Sequence, residues 1–136
     1  MKKLVCLLAC VILLVSLSAC SGGINGTEAK AYINDFLKEV EKGDYTAAET
    51  YLHPDRPADL QAFFEGVAAE ENLDFSQISV EKYTNFASAL YESSVGGARY
   101  ALTMKVSVSG KPVKMEIEIV KNDNGYGIYN FDIDAQ

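Results

Sequence analysis

Residues 99–108 read Arg99-Tyr100-Ala101-Leu102-Thr103-Met104-Lys105-Val106-Ser107-Val108, and their alternation of apolar and polar side chains is the clearest structural signal in the chain. The apolar side chains fall at the even positions, whereas most of the odd positions are polar. Because successive side chains of a β-strand point to opposite faces of its sheet, the pattern predicts a strand with one buried face.

The same alternation continues on both sides of this stretch. Downstream it resumes at 113–119, after a turn predicted at 109–112, and Asn122-Asp123-Asn124-Gly125 favours a hairpin before a last strand at 126–133. Upstream, a period of two begins at Phe75, and its predicted inward positions are Ile78, Val80, Thr84, Phe86 and Leu90. These stretches predict a four-stranded antiparallel meander with one covered face and one face that meets solvent or a partner.

Three helices are predicted between the N-terminal region and the sheet. Their apolar residues recur at helical spacing, so each helix has one face to bury against the sheet. The resulting fold class is α+β, with three N-terminal helices packed on a four-stranded antiparallel meander. The predicted boundaries are Thr27 as N-cap and Gly43 beyond the end of the first helix, Asp44 as N-cap and Leu52 as the end of the second, and Pro57 in the first turn and Asn72 near the end of the third.

The N-terminus has the organisation of an export signal. Met1-Lys2-Lys3 precedes an apolar stretch from Leu4 to Leu17, which is too short for a membrane-spanning helix of about 20 residues. The run Leu17-Ser18-Ala19-Cys20 resembles the bacterial lipoprotein signal, in which Leu and two small residues precede an invariant Cys. The resemblance implies cleavage before Cys20 and acylation of its sulfur; the alternative is an ordinary signal peptide with a chance cysteine.

This organisation predicts a signal peptide at 1–19, a lipidated Cys20 with a flexible tether at 20–26, and one domain at 27–136. The domain would be held by lipid on the extracytoplasmic side of the cell membrane, or on an outer membrane where the source has one. Cys6 and Cys10 leave with the signal, so no disulfide is expected. The net charge of −7 argues against nucleic acid as a partner.

The order of three helices and four strands is similar to that of the nuclear-transport-factor-2-like superfamily, in which a curved sheet wraps around helices into a cone. The run at 36–48 resembles the first helix–turn–helix of small bacterial lipoproteins in that group, and Asn124-Gly125-Tyr126-Gly127-Ile128-Tyr129 resembles their last hairpin. Tyr126 stands where a Trp often follows the Gly, and this chain has no Trp. The resemblance implies a cone-like domain and says little about activity.

Few residues suggest catalytic or metal chemistry, and no cofactor or metal site is expected. His53 with Asp55 would have the composition of a general base and its orienting carboxylate, but a solvated loop histidine is the favoured interpretation. The acidic residues favour a solvated helix face or a hairpin over calcium binding. Asp132 or Asp134 could serve as an inward base, as in ketosteroid isomerase of the same superfamily. The acidic residues at which calcium binding is not expected are Glu65, Glu70, Glu71 and Asp123.

The abundance of Tyr and Phe directs attention to a ligand pocket. We expect Phe63, Phe64 and Tyr100 to line a partly open cone that takes a small apolar ligand. The predicted function is a non-catalytic binding or interaction module at the cell envelope, with a small ligand or an envelope protein as partner. The alternatives are an isomerase or hydratase with an Asp/Tyr pair, and a structural protein that forms a homodimer through its exposed sheet face.

Overall fold

The structure is a computed structural model that describes residues 23–136, so the predicted signal peptide and Cys20 lie outside the described residues. The fold class is α+β, as predicted, with three helices followed by four strands. Within residues 23–136, no helix has the length and apolar character needed to cross a membrane. The elements are α1 Gly26–Glu41, α2 Tyr45–Glu49, α3 Leu60–Glu71, β1 Ile78–Glu92, β2 Gly97–Val108, β3 Lys111–Asn122 and β4 Gly125–Ala135.

The four strands form one antiparallel sheet in the order β1-β2-β3-β4, which confirms the predicted meander. The turn between β2 and β3 is tighter than predicted. Ser109 and Gly110 both have positive φ, of 47° and 82°, as in the two-residue turns that join twisted strands. Lys111 and Pro112 therefore belong to β3 rather than to the turn.

The core lies between the helices and one face of the sheet. Met104 of β2 and Met115 of β3 are paired across the sheet, and both are fully buried. Phe36 of α1 packs against Phe131 of β4, with ring centroids 5.7 Å apart, and against Phe64 of α3 at 6.5 Å. The alternation of β2 and β3 thus buries its apolar face as predicted, because helices cover this face of the central strands.

The first two helices differ from the prediction at one end each. Asn25, not Thr27, is the N-cap of α1, since its Oδ1 accepts hydrogen bonds from two backbone N–H groups in the first turn. Asp44 caps α2 as predicted, with Oδ1 3.0 Å from the amide nitrogen of Ala47. The helix ends at Glu49, short of the predicted Leu52, because the following residues pair with β4.

The prediction of Pro57 in the first turn of α3 is wrong. The helix begins at Leu60, where Asp59 is the N-cap and accepts a hydrogen bond of 3.0 Å from the Ala62 N–H. The N–H of Leu60 donates to Glu49 Oε1 at 3.1 Å, which joins α3 to the end of α2. The helix ends at Glu71, and Asn72, near which the end was predicted, is its C-cap with a left-handed φ of 53°.

Strand β1 departs most from the predicted pattern. Its first half contributes to the core, but Phe86 is 64 % exposed and Leu90 is 79 % exposed. The register of β1 with β2 is irregular at three places, between Val80 and Lys82 and at two later points. The prediction that the apolar face of each strand is buried is therefore wrong for the second half of β1.

Candidate functional site

The segment between α2 and α3 lies along the outer edge of β4. Leu52 and Ile128 form a parallel bridge, in which the His53 N–H donates to Ile128 O at 2.9 Å and the Ile128 N–H donates to Tyr51 O at 2.8 Å. A β-carbon on Gly127 would lie 2.6 Å from the backbone nitrogen of His53. Only glycine fits this close approach of two backbones, so Gly127 fixes where the segment lies.

His53 is 1 % exposed, so the prediction of a solvated loop histidine is wrong. Its Nδ1 accepts a hydrogen bond of 3.0 Å from the Asp55 N–H, which leaves the ring proton on Nε2. Nε2 lies 3.0 Å from Asn122 Oδ1 and 3.1 Å from Gly125 O, both acceptors at the β3–β4 hairpin. His53 thus ties the segment to the hairpin, and both ring nitrogens are engaged.

Asn122 extends this network to the β1–β2 hairpin. Its amide nitrogen donates to Val95 O at 2.9 Å and to Asp55 Oδ2 at 3.1 Å. Asn124 donates to the other carboxylate oxygen of Asp55 at 2.9 Å. Asp55 therefore binds two asparagine amides across the hairpin, and this arrangement is that of a structural clamp rather than of a base poised to take a substrate proton.

A cleft opens beside this clamp, between the α2–α3 segment, the start of α3 and β4; we call it the β4 cleft. Its volume is about 230 Å³, and most of its walls are apolar. Phe63 lies on one wall, 37 % exposed, with its ring 5.7 Å from that of Phe131. The lining residues are Leu52, Arg56, Pro57, Ala58, Leu60, Phe63, Ile128, Tyr129, Asn130 and Phe131.

Arg56 supplies the positive charge of the β4 cleft. Its guanidinium lies over the ring of Tyr129, 4.6 Å from the centroid, in cation–π geometry. No ion pair among residues 23–136 involves Arg56. The cleft therefore combines an apolar interior with the exposed guanidinium of Arg56, which is positioned by its contact with the Tyr129 ring.

The three predicted ligand residues do not line one pocket. Phe63 lines the β4 cleft, whereas Phe64 is fully buried in the core and borders a separate depression of about 420 Å³ between α1 and α3. Tyr100 is buried beside the start of α1, where its ring stacks on Phe86 at 6.1 Å. Of the predicted set, Phe63 is the residue that remains at the candidate site.

The outer face of the sheet is polar and charged. Asp132 and Asp134 are exposed on this face, so neither points to the helix-covered side, where the predicted isomerase would need its base. The same face offers a second copy little apolar area, although homodimer interfaces are apolar at their centre. Its residues include Thr103, Lys105, Lys114, Glu116, Glu118, Asn130, Asp132 and Asp134.

Three partly buried tyrosines, which do not line the β4 cleft, pack together. Tyr32 packs edge-on against Tyr51 and Tyr126, with centroid distances of 4.9 and 5.0 Å, and its hydroxyl donates to Tyr51 O at 2.9 Å. Burial, with a smaller effect from the neighbouring phenols, raises the pKa of Tyr32 to about 12. This phenol is therefore held in its neutral form as a structural donor.

Sequence reasoning did not assign Arg56 to the site. A usable signal was Gly127, because a glycine inside a strand marks the close approach of another backbone.

Among residues 23–136, no group of three metal-ligating side chains is brought together. No protein-family model, curated protein or solved structure matches this chain.

Proposed function

We propose that the protein is a bacterial lipoprotein, anchored on the extracytoplasmic side of the membrane through acylated Cys20, and that its domain is a non-catalytic binding module. The anchor rests on the N-terminal lysines, the length of the apolar stretch and the Leu17-Ser18-Ala19-Cys20 run. Asn25 begins the domain as the N-cap of α1, so only four residues separate it from Cys20. A tether this short holds the domain close to the bilayer.

We also propose that the domain is a small member of the nuclear-transport-factor-2-like superfamily with a cone-like sheet. The order of three helices and a four-stranded antiparallel meander supports this assignment. The apolar contact of α1 with β4, through Phe36 and Phe131, is compatible with a sheet that wraps around its helices. Fold similarity carries no activity by itself, so the function is argued from the site.

The β4 cleft is the observation that carries the binding function. Its apolar walls, with Phe63 at one side, exclude water from the body of a ligand, while Arg56 at the rim favours a negative charge. The ligand class is therefore a small organic anion with an apolar body. A volume of about 230 Å³ lies below the roughly 300–1,000 Å³ of pockets for drug-sized ligands, which favours a compact molecule.

Binding is tested with para-tert-butylbenzoate and its neutral analogue para-tert-butylbenzamide, by saturation-transfer NMR on the full chain in lipid nanodiscs. Empty nanodiscs give the background from partition into lipid. We expect the benzoate to bind about tenfold more tightly than the amide, since a hydrogen bond to a charged group contributes about 1.5–3 kcal/mol. Arg56→Gln is expected to abolish this preference.

Lys82→Gln is the matched control, because Lys82 is an exposed cation on β1, at the opposite edge of the sheet from β4. It removes the same charge and is expected to leave the preference for benzoate unchanged. Equal affinities for the two probes, or an equal effect of both substitutions, would contradict the proposed site.

A further inference from the structure

The second half of β1 exposes an apolar surface that we call the β1 patch, defined by Phe86, Leu90 and Tyr91. Their exposed fractions are 64 %, 79 % and 69 %. Phe86 pairs with Leu102 across the sheet, so its side chain lies on the face that the helices cover elsewhere. The helix layer does not reach this end of β1, and large apolar side chains remain in solvent.

The β1 patch lies where the chain enters the domain. A β-carbon on Gly23 would lie 3.2 Å from Leu90 Cδ2, so this glycine packs directly on the patch. Three residues further on, a β-carbon on Gly26 would lie 3.0 Å from the hydroxyl of Tyr100, whose ring stacks on Phe86. The described chain therefore starts in contact with the patch.

Cys20 precedes Gly23 by three residues, a span of at most about 10 Å. If its sulfur carries an acyl chain in the bilayer, the position of Gly23 on Leu90 brings the patch to the membrane surface. We propose that the β1 patch inserts into the lipid interface and sets the orientation of the domain on the membrane. This inference rests on the proposed acylation of Cys20 and adds a second, protein-borne membrane contact.

The distribution of charge supports a lipid partner. Charged residues make up 23 % of the chain, yet none occurs between Lys82 and Glu92 or between Gly23 and Thr27. An acidic protein is repelled by anionic headgroups, so a region without acidic residues is where it can approach most closely. Interfacial membrane contacts also favour aromatic and leucine side chains, which the patch supplies.

A second copy of the chain is a less suitable occupant. β1 is an edge strand, and pairing two such edges needs a regular row of backbone donors and acceptors. The register irregularities between Tyr83 and Asn85 and between Ala89 and Glu92 lie in or beside the patch. Bulges of this kind bend a strand and disrupt its ladder, which protects an edge from strand addition.

The absence of Trp from the chain provides the test. Phe86→Trp and Leu90→Trp each add one fluorophore to the patch, in the full-length protein produced with its signal. Phe63→Trp is the matched control, because Phe63 is also partly exposed but packs on β4 at the opposite edge of the sheet. Each protein is reconstituted into phosphatidylcholine vesicles with or without lipid brominated on the upper part of its acyl chains.

Bromolipid is expected to lower the fluorescence of F86W and L90W by about half or more, since interfacial apolar side chains lie about 5–10 Å into the headgroup–acyl boundary. The fluorescence of F63W is expected to stay unchanged. The circular dichroism spectrum of each variant is compared with that of the parent protein to check that the variant is folded. Because two patch variants are used, the test still works if one of them misfolds.

The intact mass of the same samples separates the two proposals. Acylated protein without quenching in F86W and L90W overturns the β1 patch and leaves the anchor standing. A free Cys20 sulfur overturns both. Equal quenching of all three variants overturns the patch, because it would not depend on orientation. Blue-shifted emission that bromolipid does not quench, with concentration-dependent crosslinking, identifies a second copy as the occupant and also overturns a lipid contact.

Discussion

The ring of His53 and the amide of Asn122 lie 69 residues apart in the chain, yet His53 Nε2 is 3.0 Å from Asn122 Oδ1. This hydrogen bond joins the segment between α2 and α3 to the β3–β4 hairpin. The same asparagine donates to Val95 O at the β1–β2 hairpin. Three chain segments are therefore joined through His53 and Asn122, and the His53 ring packs edge-on against Tyr129, which lines the β4 cleft.

His53→Ala is expected to lower the free energy of unfolding by about 2–4 kcal/mol, because it leaves a cavity and buried polar groups without partners. Chemical denaturation of the full chain measures the change. Gln61→Ala, at an exposed position of α3, is the control and is expected to stay within about 0.5 kcal/mol. A loss below about 1 kcal/mol for His53→Ala would mean that the ring is solvated.

Gly127→Ala is expected to destabilise the fold, since the added β-carbon would meet the His53 nitrogen at 2.6 Å and the Leu52 carbonyl carbon at 2.7 Å. Overpacking of this kind costs about 1–3 kcal/mol, seen as a lower Tm. Gly66→Ala is the matched control, because Gly66 lies inside α3 with open space around it. It is expected to stabilise by about 0.5–1 kcal/mol, and a loss of stability there would contradict the helical assignment.

Asn25→Ala and Thr27→Ala distinguish the two candidate N-caps of α1. Asn25 Oδ1 accepts from the Thr27 N–H at 2.9 Å and the Glu28 N–H at 3.2 Å, so its loss is expected to cost about 1 kcal/mol. Thr27 is exposed inside the first turn and its loss is expected to have little effect. Thermal denaturation compares the two variants, and a larger loss of stability for Thr27→Ala would identify Thr27 as the N-cap.

Tyr32 gives a pH dependence with a defined sign. Its folded-state pKa of about 12 exceeds the ordinary value of 10.0, so folding favours the protonated phenol. The stability it contributes is fully present below pH 10 and is lost as the pH rises from about 10 to about 12. Burial also raises the pKa of Tyr45 and of Tyr126. Phenolate absorbance during alkaline titration is therefore expected to show several late-titrating tyrosines in the wild type, Tyr32 among them.

Tyr32→Phe is expected to remove one of the late-titrating phenols and to cost about 1 kcal/mol at neutral pH, because the hydrogen bond to Tyr51 O is lost. Tyr91→Phe is the control, since Tyr91 is 69 % exposed and makes no comparable contact in the described residues. The assignment fails if Tyr32→Phe leaves the number of late-titrating phenols unchanged.

The sequence patterns predicted the central strands well because local and tertiary requirements agree there. Met104 and Met115 alternate with polar neighbours, and helices cover their face of the sheet. Phe86 follows the same alternation but remains exposed. Periodicity predicts the face of the sheet on which a side chain lies, but it does not predict how far the helix layer extends over that face. Strand position was thus predictable, whereas coverage of the edge strand was not.

The candidate site was only partly predictable. Phe63 was expected at a pocket and lines the β4 cleft, but its expected neighbours Phe64 and Tyr100 lie elsewhere in the core. His53, in a loop bounded by prolines, has the local sequence of an exposed residue. Its burial depends on a hairpin 69 residues away, and no local pattern carries that information.

The central claim is that the chain works as a lipoprotein held at the membrane through Cys20, and the intact mass of the purified full-length product tests it most directly. We predict the mass of residues 20–136 plus the mass of covalently attached lipid, with Cys20→Ser giving a product that lacks the lipid. The mass of residues 20–136 with a free sulfur, or of an uncleaved chain without lipid, would contradict the account.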